Sequence, residues 1–132
     1  MILLVDASAA VDLLVRSNAG ERVRRFLAHT EDITLMTVAH LDSEVLSALA
    51  RLHRGHVLNT EEVAGLLDRL AAVDMRRLAI TGSLLQAAWD LRDNISARDA
   101  LYVAAAQAVR GQLLTTDDRL ARAVPDLAVS LT

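Results

Sequence analysis

Short apolar segments alternate along this chain with longer stretches of helical spacing, and this alternation constrains the fold more than any other feature. The segments predicted to be strands are Ile2–Val5, Ile33–Met36, Arg77–Ile80, Gln112–Thr115 and Leu127–Leu131. Helices are predicted at Ala9–Arg16, Gly20–His29, Leu41–Arg54, Glu61–Val73, Ser83–Asp93 and Ala97–Arg110. Such alternation predicts an α/β fold, in which a mostly parallel sheet is covered by helices on both faces.

The length and composition favour a single domain spanning residues 1–132. The chain has no linker-like tract, and its composition is 53% hydrophobic but only 2% aromatic, so Leu, Val, Ala and Ile must build the core. No apolar run approaches the roughly 18 residues that a membrane span needs, and the N-terminus lacks the basic region of a secretory signal. We therefore expect a cytoplasmic protein without a membrane partner.

The absence of cysteine and of lysine excludes several kinds of active site. The chain has no cysteine, which excludes disulfides, thiolate zinc sites and cysteine nucleophiles. All 14 basic residues are arginine, so a Walker-A lysine and a Schiff-base lysine are excluded as well. A metal ion would have to be held by oxygen or imidazole ligands. The net charge of -3 argues only weakly against a nucleic-acid ligand, because a local basic stripe can bind phosphates whatever the total.

Acidic residues follow two of the predicted strands. Asp6 comes directly after Ile2–Val5, and Asp117 comes after the strand that contains QLLTT. The carboxyl ends of parallel strands meet at one edge of the sheet, where ligands gather, so these two acids are expected to be neighbours in space. An N-cap role for Asp6 is the weaker interpretation because Ser8 is a more natural cap. An unpaired charge at a buried strand end would be costly.

Other acids lie on predicted helices, and each has a purely structural alternative. Asp99 follows Ser96 by three residues and could complete a capping box. Asp117 or Asp118 could cap the short helix that follows. In the helix LDSEVLSAL, Asp42 and Glu44 flank the apolar stripe on opposite sides, and periodicity does not choose between them.

Taken together, the acids predict a metal site. Carboxylates brought together in a partly buried place repel one another, and such a cluster persists when a cation compensates the charge. All-oxygen ligation suits Mg²⁺ or Mn²⁺, which commonly serve phosphoryl chemistry.

Four segments in sequence resemble the acidic positions of PIN-domain ribonucleases, most closely the VapC-type toxins of bacterial toxin-antitoxin pairs. The segments are VDASAAVDLL, HLDSEVLSAL, SARDALYVAAA and LLTTDDRLARA, and the resemblance runs from about Ile2 to Pro125. It implies a PIN-like three-layer sandwich with a mostly parallel five-stranded sheet of order 3-2-1-4-5. It also implies a divalent-metal site and endonucleolytic cleavage of RNA that leaves a 5′ phosphate and a 3′ hydroxyl.

The resemblance assigns roles to particular residues. Glu44 rather than Asp42, and Asp117 rather than Asp118, match the acidic positions of the family. Asp6, Asp99 and Asp117 would hold Mg²⁺ or Mn²⁺ directly or through water. Glu44 is counted with these metal-binding acids and would orient or deprotonate the attacking water. The hydroxyl residues Ser8 and Thr115 would support the acids from behind.

The resemblance also implies partners: a VapB-type antitoxin whose tail covers the acidic groove, and a second copy of the chain in a homodimer. Two other functions remain open from the sequence. One is a non-catalytic PIN-like module that binds RNA or protein, and the other is a DNA-directed nuclease of related fold.

The arginines are the candidates for contact with RNA. Arg98, directly before Asp99, departs from the residue types common at that position in the family, and it could contact a phosphate or point to solvent. Further candidates for a backbone track are Arg22, Arg24, Arg25, Arg51 and Arg54. Trp89 shares a helical stripe with Leu85 and is expected in the core, so a platform for base stacking is not predicted.

Overall fold

Four parallel strands form the sheet of this protein, for which a computed structural model describes all 132 residues. The strands are β1 (Ile2–Val5), β2 (Thr34–Val38), β3 (Arg76–Leu78) and β4 (Gln112–Leu114). Their order is β3-β2-β1-β4, and every neighbouring pair is parallel. The predicted order is therefore confirmed over these four strands.

The predicted fifth strand, Leu127–Leu131, forms only one bridge. Ala128 lies opposite Leu113 in a parallel bridge, closed by hydrogen bonds from the Leu113 amide to Leu127 and from the Val129 amide to Leu113. The position beyond β4 in the sheet is thus occupied, but not by a strand. The reason is the length of β4, whose three residues offer its second edge little more than one residue to pair with.

Helices cover both faces of the sheet, as predicted. They are α1 (Ala7–Val15), α2 (Asn18–Ala28), α3 (Leu41–Arg54), α4 (Thr60–Ala72), α5 (Gly82–Trp89), α6 (Ala97–Ala108) and α7 (Asp118–Ala123). Helix α6 packs on β1, β2 and β4, and α5 packs on α6. Helix α1 packs with α2, α3 and α4 on the opposite side. None of the helices is both long and apolar enough to cross a bilayer.

The core is built from small and aliphatic side chains, as the composition requires. Leu3 and Leu4 in the central strand are completely buried, and they point to opposite faces of the sheet. In α6, the run Ala104–Ala106 is also buried, and such small side chains let the helix lie close to the sheet. This close packing fixes the first turn of α6 near the carboxyl ends of the strands.

Trp89 does not belong to the core, so the prediction made for it is wrong. Its side chain is 61% exposed, and the Arg92 guanidinium lies 4.6 Å from its ring centroid. The buried residues of α5 are Leu84 and Ala88. One residue along a helix turns the side chain by about 100°. A stripe displaced by one residue therefore leaves Leu85 and Trp89 at the surface.

Two glycines give a test of how closely α1 and α2 approach. A Cβ on Gly20 would lie 1.9 Å from the carbonyl oxygen of Asp12, whereas a Cβ on Gly65 in α4 would meet nothing within 4 Å. We expect Gly20→Ala to lower the free energy of unfolding by about 2 kcal/mol or more, because backbone must move to relieve the overlap. Gly65→Ala should raise it by roughly 0.5–1 kcal/mol through its higher helix propensity.

Urea unfolding of both variants at one pH would measure these changes. Equal effects of the two substitutions would contradict the close contact between Gly20 and α1.

Candidate active site

Asp6 lies at the point where β1 passes directly into α1. Its side chain is 2% exposed, and its Oδ1 accepts hydrogen bonds from the Ser8 hydroxyl at 2.7 Å and the Ala9 amide at 2.9 Å. Asp6 is therefore the N-cap of α1, a role that the sequence favoured for Ser8. The physical reason is that the helix begins at Ala7, which places the Asp6 carboxylate, not the Ser8 hydroxyl, over the free amides of the first turn.

The pKa of Asp6 is raised from 3.8 to about 6. Burial is the largest cause, because it disfavours the charged form. Hydrogen bonds from Thr115, Ala9 and Ser8 lower the pKa, and the nearby charge of Asp99 raises it. Burial thus destabilises the charged form of Asp6, although the carboxylate accepts several hydrogen bonds.

Ser8 and Thr115 connect Asp6 to the end of β4. Their hydroxyl oxygens are 3.1 Å apart, and the amide of Thr116 also donates to Ser8 at 3.1 Å. The single proton of Ser8 goes to Asp6, and the Thr115 hydroxyl lies close to both side chains, where it lowers the pKa of Asp6. Both residues predicted to support the acids therefore lie next to Asp6, Ser8 in the first turn of α1 and Thr115 directly after β4.

Asp117 lies one turn beyond β4 and caps α7. Its Oδ1 accepts from the amides of Arg119 at 3.0 Å and Leu120 at 3.2 Å, while its own amide donates to Thr115. The capping alternative is thus realised by Asp117, and Asp118 is exposed. A cap uses only one carboxylate oxygen here, and the Asp117 side chain still lines the groove described below.

Asp99 lies half-buried in the first turn of α6. The Ser96 hydroxyl accepts from the Asp99 amide at 3.4 Å, but the reciprocal bond that would complete a capping box does not form. The Asp99 carboxylate is therefore not used by the helix cap. It lies near enough to raise the pKa of Asp6 and shares a second groove, of about 700 Å³, with Asp117.

Tertiary packing separates Asp42 from Glu44, which periodicity could not do. Asp42 forms a two-pronged ion pair with Arg77 of β3, with distances of 2.5 and 2.9 Å. Glu44 points the other way, and its side chain is 18% exposed. The Arg98 guanidinium lies 3.4 Å from its Oε2, so Arg98 contacts Glu44 while its side chain stays largely exposed to solvent.

Tyr102 and His40 also hold Glu44, and sequence reasoning missed both. The buried Tyr102 hydroxyl donates to Glu44 Oε1 at 2.5 Å, and the His40 ring stacks on Tyr102 with centroids 4.5 Å apart. His40 Nε2 lies 3.2 Å from the same oxygen, although neither ring nitrogen makes a hydrogen bond of good geometry. Their spacing from the acids could have revealed them. Tyr102 is three residues after Asp99 and His40 is four residues before Glu44, and residues at such spacings lie on the same face of a helix.

Tyr102 remains a hydrogen-bond donor throughout the physiological range. Burial raises the pKa of its hydroxyl first, followed by the hydrogen bond to Glu44 and the charges of Glu44, Asp6 and Asp99. The charges of all three carboxylates thus act on this one phenol.

A polar groove of about 660 Å³ opens beside Glu44 and Asp117, next to the buried Asp6, and we call it the acid groove. It is lined by Ala7, Ser8, Val11, Asp12, His40, Ser43, Glu44, Ser47, Ala48, Arg51, Arg98 and Asp117. It lies between α1 and α3, beyond the carboxyl ends of β1 and β4. This is the edge where ligands bind in parallel sheets, and the volume suits a small ligand or part of a polymer.

The predicted metal cluster is not assembled as a closed set. No three acidic or histidine side chains are placed to ligate one ion together. Each acid is instead engaged by donors of its own neighbourhood, as described for Asp6, Glu44 and Asp117. The donor chemistry nevertheless fits a hard divalent ion, because Mg²⁺ is commonly held by one or two carboxylates and completes its shell with water and substrate phosphates. Asp6 and Asp99 provide such a pair.

The arginine candidates separate clearly by position. Arg51 and Arg98 line the acid groove, whereas Arg54 lines an apolar cleft between α3 and α4. Arg22, Arg24 and Arg25 lie on α2, outside the groove, and Arg24 pairs with Glu21.

The buried carboxylate should make stability depend on pH in a definite direction. Because the pKa of Asp6 is higher in the folded state, its neutral form stabilises the fold below about pH 4, and this contribution is lost as the pH rises through about 6. The shift corresponds to roughly 3 kcal/mol. With chelator present, Asp6→Asn should therefore exceed the parent in stability by up to about 3 kcal/mol at pH 8 and lose this advantage below about pH 4.

Urea unfolding across this pH range provides the measurement, with Asp118→Asn as the exposed control. A parent more stable than Asp6→Asn at pH 8 would show that burial is not the dominant influence on Asp6.

Comparisons with known proteins agree with this geometry. A model of the PIN domain matches residues 3–124. Ribonuclease VapC3 of Mycobacterium tuberculosis is 46% identical over 123 residues, which cover 92% of this chain and 87% of that protein.

Two solved structures share the fold. One is VapC20 of Mycobacterium tuberculosis, described as a toxin that cleaves the sarcin-ricin loop, with a TM-score of 0.68 and 19% identity over 92% of this chain and 94% of that one. The other is a toxin-antitoxin complex from Klebsiella pneumoniae, with a TM-score of 0.70 and 17% identity over 98% of each chain. With a matching family model and a close relative over nearly its whole length, this chain belongs to the PIN-domain family.

Proposed function

We propose that this single-domain protein is a metal-dependent endoribonuclease and the toxin of a type II toxin-antitoxin pair, acting in the cytoplasm. The observation that carries the proposal is the burial of the Asp6 carboxylate at the end of β1. Its side chain is almost completely buried, and Asp99 lies close enough to raise its pKa. Perturbed carboxylates beside a polar groove are typical of catalytic sites. The identity to a protein named ribonuclease VapC3 supports RNA as the substrate.

Asp6, Asp99 and Asp117 are the residues that would hold Mg²⁺ or Mn²⁺, directly or through water, with Asp6 and Asp99 as the nearer pair. When bound, such an ion supplies an activated water and stabilises negative charge on the phosphate oxygens. The Asp6 carboxylate is costly to bury without a cation, so a site there is favoured over a solvent-exposed one. Ser8 and Thr115 fix the orientation of Asp6 through the hydrogen bonds described above.

Glu44 is assigned the orientation of the attacking water. The buried Tyr102 hydroxyl donates to its Oε1 and fixes the direction of the side chain at the wall of the groove, while the exposed Arg98 lies 3.4 Å from its Oε2. Water attack on phosphorus and breakage of the bond to the 3′ oxygen, which takes up a proton, would leave a 5′ phosphate and a 3′ hydroxyl. These products follow from the resemblance to PIN-domain ribonucleases.

The proposed partners follow from the same family. A VapB-type antitoxin would cover the acid groove with its tail, and the toxin-antitoxin complex of matching fold supports an antitoxin as the partner. A cation of the antitoxin would offset the charge of the acids in place of a metal ion. A homodimer is proposed by resemblance, and light scattering of the purified chain would test it.

Substitution of the acids should abolish RNA cleavage. We expect Asp6→Asn, Asp99→Asn and Glu44→Gln each to lower the rate at least about a hundredfold, since each removes a charged group from the site. Cleavage of a structured RNA with Mn²⁺ or Mg²⁺ present, followed by sequencing of the new 5′ ends, provides the measurement.

Two matched controls sharpen this experiment. Asp42→Asn changes an acid on the same helix as Glu44 that pairs with Arg77 outside the groove, and Asp118→Asn changes the exposed neighbour of Asp117. Both should cleave within about threefold of the parent. Parental rates in Asp6→Asn and Asp99→Asn would disprove the mechanism, and binding of RNA without any metal-dependent cleavage would instead indicate a non-catalytic module.

Metal binding can be tested apart from cleavage. Titration calorimetry with Mn²⁺ should detect binding to the parent and none to Asp99→Asn. Ser8→Ala removes a hydroxyl that orients Asp6 and should weaken binding about 10- to 100-fold, the usual effect of losing a group that supports a ligand. Asp42→Asn should bind as the parent does; equal binding by all four proteins would place the metal elsewhere.

A further inference from the structure

Two arginines line the acid groove, and no other arginine does. Arg51 comes from the last turn of α3, and Arg98 comes from the first turn of α6. Both are exposed, so they can exchange partners without unfolding any part of the structure. Together they bring positive charge to a groove whose other ionised groups are acidic.

Arg98 has a partner that it can give up. Its guanidinium lies 3.4 Å from Glu44, but the Arg98 side chain is 78% exposed. Exposed ion pairs of this kind contribute little stability, because water competes for both charges. The pair shows that Arg98 reaches over the groove, and its weakness means that a phosphate arriving there can take the place of Glu44.

Arg51 has no acidic partner within ion-pair distance. It shares one face of α3 with Glu44 and Ser47, at a spacing of seven and four residues, so its Cα lies about 10 Å along the helix from that of Glu44. The groove wall between them carries the short side chains of Ser47 and Ala48. A polymer backbone can therefore approach the helix closely along this face.

No Phe, Tyr or Trp side chain lines the groove as a platform for base stacking. The chain has one Phe, one Tyr and one Trp. Tyr102 is buried under His40, while Phe26 and Trp89 do not line the groove. Where stacking is absent, contacts to phosphates supply most of the affinity for a single strand.

We propose that Arg51 and Arg98 bind phosphates of the RNA backbone along the acid groove, and that Arg98 leaves Glu44 to do so. The proposal rests on the proposed function, which it extends from the reaction to the way the substrate is held. The planar guanidinium matches the two oxygens of a phosphate, which a compact ammonium does not. Arg98 thereby frees Glu44 for the attacking water only when a substrate strand is present.

The test measures RNA binding without cleavage. Fluorescence anisotropy of a labelled single-stranded RNA would be recorded over a range of salt concentrations in the Asp6→Asn background with chelator. Added Arg51→Ala or Arg98→Ala should each weaken binding roughly tenfold, the effect of one lost charge-assisted contact. Each should also reduce the salt dependence by about 0.7 in the log–log slope, as expected for one phosphate contact to a single strand.

Arg54→Ala is the matched control, since this arginine is three residues from Arg51 in the same helix but lines another cleft. It should change affinity less than twofold. Glu44→Gln should tighten binding, and most of this gain should vanish in the double variant Glu44→Gln, Arg98→Ala, because no arginine is then released.

The outcomes are distinct. If Arg51→Ala and Arg98→Ala leave the salt dependence of RNA binding unchanged, or if Arg54→Ala loses as much affinity as they do, these arginines do not bind the RNA phosphates. This conclusion would hold even if the parent protein cleaves RNA. If Glu44→Gln raises the affinity for RNA equally in the presence of Arg98 and in the Arg98→Ala background, Arg98 does not move from Glu44 to the RNA. Failure of the proposed function would appear differently, as a parent protein that does not cleave RNA under any metal condition.

Discussion

The burial of the Asp6 carboxylate is the constraint on which the rest of the site depends. Carboxylate oxygens at the end of a largely buried strand are tolerated only because neighbouring groups donate hydrogen bonds to them. Those donors come from the first turn of α1 and, through Thr115, from the end of β4. The pairing of β1 with β4 therefore positions the acid and its support at the same time.

A second constraint fixes the opposite wall of the groove. Tyr102 belongs to the helix that carries Asp99, and it donates to Glu44 on α3, so one side chain links the two helices that supply these acids. The stacked ring of His40 and the guanidinium of Arg98 complete the surroundings of Glu44. The groove thus combines a rigid acidic side with exposed cations that can move. This combination suits a site that must bind a polyanion next to carboxylates.

Much of the architecture was predictable because it follows from local periodicity. The alternation of apolar strands with helices gave the parallel sheet, and helix α3 was predicted with its observed bounds. The errors came from packing between elements. The last segment had the composition of a strand but met a partner too short to pair with it, and Trp89 lay one residue away from the stripe that α6 covers.

The sequence by itself determined that acids follow the strands β1 and β4 and begin the helix α6, because strand and helix boundaries are local properties. It did not decide between Asp42 and Glu44, which lie at equivalent distances from the apolar stripe of one helix. The resemblance to the family favours Glu44, and the tertiary structure supplies the physical difference, since Arg77 on a neighbouring strand pairs with Asp42 and leaves Glu44 to face Tyr102. Contacts between residues 35 and 58 positions apart depend on how the helices pack, and helical periodicity alone does not contain that information.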